Sequence, residues 1–226
     1  MLTDLISLFF PRLCCACGFT LLKEERLLCT HCRFQLPRTG YYNIPDNPVA
    51  KLFWGRIPLE HAGAYLFFKK GGRVQTLLHN LKYKGMKEAG TLLGELYGKD
   101  LLHSKYITAV DIVVPVPLHP DKFKKRGYNQ SATFAKGLSL SLGAEFDEAN
   151  LYRSRATATQ TKKSRYERWL NVEEIFSVSN PLFFEGKHVL LADDVITTGA
   201  TIEACASALL KIPGCMVSAV SIAVAK

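Results

Sequence analysis

The stretch Val189-Leu190-Leu191-Ala192-Asp193-Asp194-Val195-Ile196-Thr197-Thr198-Gly199-Ala200-Thr201 decides how the chain is read. Its apolar start, Val189 to Ala192, predicts a buried strand that ends in two adjacent carboxylates. Hydroxyls and a glycine follow, and helical apolar spacing begins at Ile202. A helix amino terminus presents unpaired N–H groups and the positive end of a dipole, both of which favour an anion. Gly199 lets the backbone come close to a phosphate, and Thr197, Thr198 and Thr201 add hydroxyl donors. Asp193 and Asp194 repel phosphate, so they must serve another part of the ligand; vicinal ribose hydroxyls are donors that suit them. One strand–turn–helix would thus grip both ends of a ribose 5-phosphate. The plainer alternative is a solvated acidic turn followed by a helix cap. Against it, two like charges closing an apolar strand cost free energy without a partner. The stretch is neither a Walker loop, since no Gly-Lys-Ser/Thr follows, nor a Gly-x-Gly-x-x-Gly dinucleotide fingerprint.

Outward from this stretch, strand-like runs alternate with helical periodicities. Residues 62–68, 110–114 and 216–224 read as strands; Val74, Leu77, Leu78 and Leu81 recur at helical spacing, as do Leu92, Leu93, Leu96 and Tyr97, and residues 131–142 and 202–210. Such alternation predicts an α/β fold with a parallel sheet flanked by helices, whose ligand lies beyond the carboxyl ends of the strands. Pro115 and Pro117 end the strand that begins at Val110 and deliver a loop through His119, Lys122, Lys124, Lys125 and Arg126 to the same edge. The lysines are by default a solvated basic face. Arg126, followed by Gly127-Tyr128-Asn129-Gln130, carries a ligand-binding or loop-closing role. Residues 153–171 are polar, basic and poor in core side chains, which fits either a surface loop leading into a short helix or a lid.

A chain of 226 residues can bury one good core and carry a small appendage. Its 48% hydrophobic and 22% charged residues argue against disorder, and no apolar run is long enough to cross a bilayer. Residues 1–13 predict a short amphipathic helix ended before Pro11 rather than a signal peptide. Six of the nine excess positive charges fall in residues 51–150, which suits an anionic ligand or a nucleic acid. Seven cysteines without a secretion signal point to the reducing cytoplasm. Cys14-Cys15-Ala16-Cys17-Gly18 and Cys29-Thr30-His31-Cys32 hold two Cys-x-x-Cys pairs, whose four thiolates suit one structural Zn²⁺. Cys14, Cys17, Cys29 and Cys32 are the expected ligands, with Cys15 and His31 as spare donors and disulfides as the alternative. Pro37, Gly40, Pro45 and Pro48 read as linker and loop. The expected division is therefore an N-terminal helix and zinc module over residues 1–50 and a larger domain over residues 51–226.

The acidic stretch closely resembles the phosphoribosyl pyrophosphate motif of type I phosphoribosyltransferases. With Pro115-Val116-Pro117-Leu118-His119-Pro120, Lys125 to Gln130, Gln160, Arg165, Asn171 and the cysteine pairs, the whole chain resembles the ComF family, which contains competence proteins of the ComFC type. The resemblance implies a type I phosphoribosyltransferase-like sheet with an N-terminal zinc ribbon. It implies phosphoribosyl pyrophosphate and Mg²⁺ as ligands and a nucleobase-like acceptor, covered by the segment around Lys82-Tyr83-Lys84-Gly85. Asp193 and Asp194 would hold the ribose and act catalytically, and Thr197, Thr198, Gly199, Ala200 and Thr201 would hold the 5-phosphate. Val116, Pro117 and Leu118 would occupy the place of the loop that touches pyrophosphate, and Arg126 would bind the ligand or close the loop. Residues 153–171 would be a lid, with Gln160, Lys163 and a catalytic Arg165. Two further roles compatible with the family are a phosphoribosyl pyrophosphate sensor and a competence protein that binds single-stranded DNA through the basic middle, with Tyr128, Tyr166 or Trp169 stacking on bases.

Overall fold

The computed structural model describes residues 10–154 and 175–225. The expected helix over residues 1–13 therefore lies mostly outside the described residues, as do Gln160, Lys163, Arg165, Tyr166, Trp169 and Asn171. Strands β1 (Ala62–Phe68), β2 (Ile112–Pro115), β3 (Glu145–Phe146), β6 (His188–Ile196) and β7 (Met216–Ala225) form one parallel sheet in the order β1-β7-β6-β2-β3. A short antiparallel pair, β4 (Leu151–Arg153) and β5 (Phe176–Val178), stands apart from it.

Side chains alternate across the sheet with the strand period of two. Val113, Leu190, Ala192 and Val220 face a layer that includes α3 (Arg73–Tyr83), α4 (Lys87–Leu101) and α6 (Gln130–Leu142). Ile112, Val114, Val189 and Leu191 face the opposite layer, with α7 (Ala200–Leu209) and Phe53. Both faces are covered, which is why the inner strands read as nearly unbroken apolar runs. Among the described residues, no helix is long and apolar enough to cross a membrane.

Most element ends fall within two residues of the sequence reading; β6 does not. It continues past Ala192 through Asp193, Asp194 and Val195 to Ile196, pairing Asp193 with Ser221 and Ile196 with Val224 of β7. Its other neighbour stops short: β2 pairs only as far as Pro115 with Ala192. The last link on that side is Val116 N–H to the Ala192 carbonyl, 2.9 Å. The next link would run from Asp194 N–H to the Val116 carbonyl, but that N–H donates to Asp193 Oδ1 at 2.7 Å and that carbonyl accepts from the Asn129 amide at 3.0 Å. β6 therefore leaves β2 behind and its carboxylates emerge into a crevice. His119 to Arg126 also departs from the expected loop. Pro120–Arg126 is a helix, α5, whose start is capped by His119 Nδ1 accepting from Asp121 N–H at 3.2 Å and whose end is Gly127 with φ 75°. Proline at the first helical position and a left-handed glycine at the end explain its bounds.

The stretch read as linker runs along β1. Thr39 N–H donates to the Tyr65 carbonyl at 3.0 Å and Phe67 N–H to the Pro37 carbonyl at 2.8 Å, which covers the sheet's outer edge. Asn47, only 1% exposed, caps the short helix α2 (Pro48–Lys51) by accepting from Val49 and Ala50 N–H. Its amide donates to the Ile44 and Ala62 carbonyls, both at 2.8 Å. The chain thus passes residue 50 without leaving the core. Proline and glycine mark turns in a sequence, but they do not say whether a sheet edge lies beneath.

Helices α4 and α6 meet backbone to backbone. A Cβ on Gly94 would come 2.2 Å from the Phe134 carbonyl oxygen, and one on Gly137 would come 2.1 Å from that of Thr91. Both distances are far inside van der Waals contact, and neither neighbour is a flexible side chain. Gly94→Ala should therefore cost about 1–3 kcal/mol of stability through overpacking, despite alanine's better helix propensity; an unchanged urea midpoint would show that the two helices are not this close.

Candidate functional site

The acidic pair is held from three directions. Asp193 Oδ1 accepts from Ser131 Oγ at 3.1 Å and from Asp194 N–H at 2.7 Å. Asp194 Oδ2 lies 2.8 Å from Lys82 Nζ, which comes from the last turn of α3. Burial pushes the Asp193 carboxyl up to about 7, with the Asp194 charge adding to it; the Asp194 N–H, Ser131 and the Lys82 charge act in the other direction. Ser131 is placed by Asn129, whose Oδ1 accepts from Ser131 N–H at 3.1 Å and whose amide donates to the Val116 carbonyl at 3.0 Å. That asparagine therefore joins the turn after β2 to the start of α6.

Across the crevice, Val116, Pro117 and Arg126 border the same cleft of about 220 Å³ as Lys82, Asp193 and Asp194. His119, Lys122 and Arg153 also face it, so a largely cationic rim surrounds the two carboxylates. Arg126 donates to Gln130 Oε1 at 2.7 Å and lies 5.5 Å from the centre of the Tyr83 ring. This keeps the guanidinium at the cleft and links it to the segment expected to cover an acceptor. Tyr128 corrects one expectation. It is only 8% exposed, and its hydroxyl donates to the Leu81 carbonyl, so it is not available to stack on a base.

Beyond the carboxylates, Thr197, Thr198, Gly199, Ala200 and Thr201 surround a small niche at the start of α7. Asp193, Val195 and Thr201 border both the niche and the cleft, so the two are continuous. Gly199 has φ 78°, and a Cβ there would sit 2.7 Å from the Phe53 ring. Arg56 braces the same turn, donating to the Thr198 carbonyl at 3.1 Å and pairing with Glu203. Ala200 N–H reaches Thr198 Oγ1 at 3.5 Å, and the N–H groups of a helix's first turn, which have no partner within the helix, can face an anion. Ser131, Phe53 and Arg56 are absent from the expected site, and none gives a local signal, since each reaches the site from a distant part of the chain. Lys82 is expected only in the segment covering an acceptor and Arg153 only at the start of the lid; the structure brings both to the cleft that holds Asp193 and Asp194.

In the N-terminal part of the chain, the Sγ atoms of Cys14, Cys17, Cys29 and Cys32 all lie within 4.8 Å of one another, Cys17 and Cys29 being 3.7 Å apart. Thiolates around a zinc ion with Zn–S bonds of about 2.3 Å would be ~3.8 Å apart, so the donors fit. Backbone N–H groups of Cys29 and Cys32 point at sulfur, and Gly18 with φ 77° turns the first knuckle. Cys15 is outside the quartet; burial pushes its thiol up to about 12. His31 is also outside it, and its Nε2 lies 3.1 Å from an Arg73 guanidinium nitrogen. The spare donors are thus excluded from the four-sulfur shell, which has the form of a zinc ribbon and leaves no open position for substrate.

Two measurements check these assignments. Purified protein should hold about one zinc per chain, with Cys32→Ser losing it and Cys15→Ser retaining it; metal analysis showing the reverse would overturn the ligand set. For Asp193, the unfolded chain gives up its proton near pH 4 while the folded chain keeps it to about 7. Stability should therefore fall as pH rises through that window, and Asp193→Asn should flatten the fall. Parallel pH profiles of urea unfolding for the two proteins would show an ordinary carboxyl.

A family model described as the phosphoribosyl transferase domain matches residues 129–226, which contain the acidic stretch and α6. Competence protein ComFC of Streptococcus pneumoniae (strain R6) is 37% identical over 193 residues, covering 81% of each chain. DNA utilization protein YhgH of Escherichia coli (strain K12) is 35% identical over 138 residues, so the chain spans about 60% of that relative's length. Among solved structures, the glutamine phosphoribosylpyrophosphate amidotransferase of B. subtilis superposes with a TM-score of 0.44 at 20% identity, over 62% of this chain and 30% of that one. At such a distance this last likeness carries no functional weight. The extent and identity of the match to ComFC, together with the phosphoribosyltransferase-domain match over the acidic stretch, place the chain in the ComF family.

Proposed function

We propose that the chain binds phosphoribosyl pyrophosphate with Mg²⁺ and transfers its phosphoribosyl group to a nucleobase-like acceptor, in a role linked to competence and DNA uptake. The single observation that carries this reading is the continuity of the acidic cleft with the anion niche through Asp193, Val195 and Thr201. A ligand that spans them must carry hydroxyls at one end and a phosphate at the other. The turn at Val116–Pro117 and the cations beside it then face the pyrophosphate.

In the proposed reaction a ring nitrogen attacks the anomeric carbon as the bond to pyrophosphate breaks. The bonding pair leaves with the pyrophosphate, and positive charge gathers on the sugar. Asp193 and Asp194 hold the ribose hydroxyls and oppose that charge at short range. Arg126 and Lys122 face the departing oxygens, where preorganised cations act with no reorganisation at the moment of reaction. Mg²⁺, which favours phosphate oxygens over dedicated protein cages, would arrive on the pyrophosphate and offset its charge. Among the described residues Ser218 and His188 are hydrogen-bonded at 2.9 Å, but both are buried and His188 opens β6, at the far end of the strand from the carboxylates, so this pair calls for no covalent intermediate at the cleft. Arg165 remains a proposed catalytic contributor from the segment outside the described residues.

The names of the relatives speak of competence and DNA utilization, which favours a second reading: a protein that binds single-stranded DNA and keeps this pocket as a sensor. Purified protein with labelled phosphoribosyl pyrophosphate, Mg²⁺ and a panel of bases separates the two. Base-dependent pyrophosphate release marks an enzyme; binding without release marks a sensor. Asp193→Asn and Asp194→Asn should each weaken phosphoribosyl pyrophosphate binding by about tenfold or more when measured above pH 7, where Asp193 too has given up its proton and each change replaces a charged hydrogen-bond acceptor. Single-stranded DNA binding, by contrast, should survive Asp193→Asn and weaken steeply with salt. Undiminished sugar binding by both variants would overturn the pocket assignment.

A further inference from the structure

Among the described cations that border the cleft, Lys82 is the one ion-paired with the acidic pair, 2.8 Å from Asp194. Its side chain is 21% exposed and that of Asp194 18%. Nothing about the pair suits a merely stabilising role. Partly exposed pairs contribute little to stability, and the lysine sits beside a carboxyl whose own burial is unfavourable.

The lysine is also firmly placed. Its neighbours in α3 are tied to two different parts of the molecule: Asn80 donates to the Cys15 carbonyl at 2.8 Å, while the Leu81 carbonyl accepts from Tyr128 and Tyr83 lies beneath Arg126. An ammonium so fixed is preorganised to meet a ligand.

We infer that Lys82 is the residue by which the cleft distinguishes a pentose 5-phosphate bearing an anionic group at C1 from one bearing a plain hydroxyl there. This rests on the proposed sugar-phosphate reading of the site. A carboxylate oxygen accepts from more than one donor, so Asp194 can take a ribose hydroxyl without releasing Lys82. The ammonium has three N–H donors and uses one on Asp194. The hydroxyl at C2 and the oxygen at C1 stand on adjacent ring carbons. A hydroxyl held by Asp194 therefore brings the C1 substituent to the lysine's remaining donors. An anion there gains a charge-assisted hydrogen bond; a hydroxyl gains only an ordinary one.

Calorimetry with Mg²⁺ present, using phosphoribosyl pyrophosphate and ribose 5-phosphate as separate ligands, tests this on the full chain. Lys82→Gln should weaken phosphoribosyl pyrophosphate by about tenfold or more while ribose 5-phosphate stays within about threefold. Lys82→Arg, which keeps a cation, should retain most of the preference and guards against a simple folding defect. Lys82→Gln combined with Asp194→Asn restores the wild-type formal charge, and its preference should stay lost if the ammonium acts directly. Recovery of the preference in that double variant, equal weakening of both ligands by Lys82→Gln, or no change in either would overturn the inference and leave the pocket reading intact. Wild-type protein that binds neither sugar would overturn the pocket reading, and the inference with it.

Discussion

The site depends on two neighbouring parallel strands ending at different heights. β2 does not follow β6 beyond Ala192, because the next ladder partners, Asp194 N–H and the Val116 carbonyl, bond instead to Asp193 Oδ1 and the Asn129 amide. β6 keeps β7 on its other side and continues to Ile196. The backbone of Asp193 and Asp194 is therefore held in extended form by β7, while the space left by β2 is open to ligand and to side chains from α3, α5 and α6. Had Asp194 N–H and the Val116 carbonyl bonded to each other, the carboxylates would border a closed sheet.

Carboxylates placed next to each other in a partly dry crevice repel, and the surroundings respond in kind. Ser131 donates to one, Lys82 pairs with the other, and a rim of further cations faces both. The opposition does not cancel for Asp193, whose carboxyl stays well above the ordinary range. A group held at such a cost is a common mark of a functional site. The turn around Gly199 shows a similar tension: its left-handed backbone and its contact with Phe53 leave no room for a side chain.

The zinc module and the cleft meet on one turn of helix. Asn80 and Lys82 stand two positions apart in α3, one bonded to the first knuckle at Cys15 and the other to Asp194. The module also shares a core with Tyr65 and Leu66 of β1. Metal that orders the knuckles therefore also bears on where the cleft's lysine stands, since a small cysteine module has little core of its own.

The sequence by itself determined the alternation of strands and helices, the acidic stretch running into a hydroxyl-rich helix start, and the four cysteines. Each of these is a local pattern whose physics acts over a few residues: side-chain periodicity, helix-terminus N–H groups, and paired thiols spaced for one ion. Tertiary structure alone decided that β6 outruns β2, that the proline-rich stretch from Pro37 to Pro48 packs along a sheet edge, and that Tyr128 is buried beneath α3 while Lys82 reaches Asp194. These depend on contacts between residues far apart in the chain, such as Lys82 with Asp194 or Phe53 with Gly199. No periodicity or motif within a segment encodes which distant side chain its fold will bring beside it.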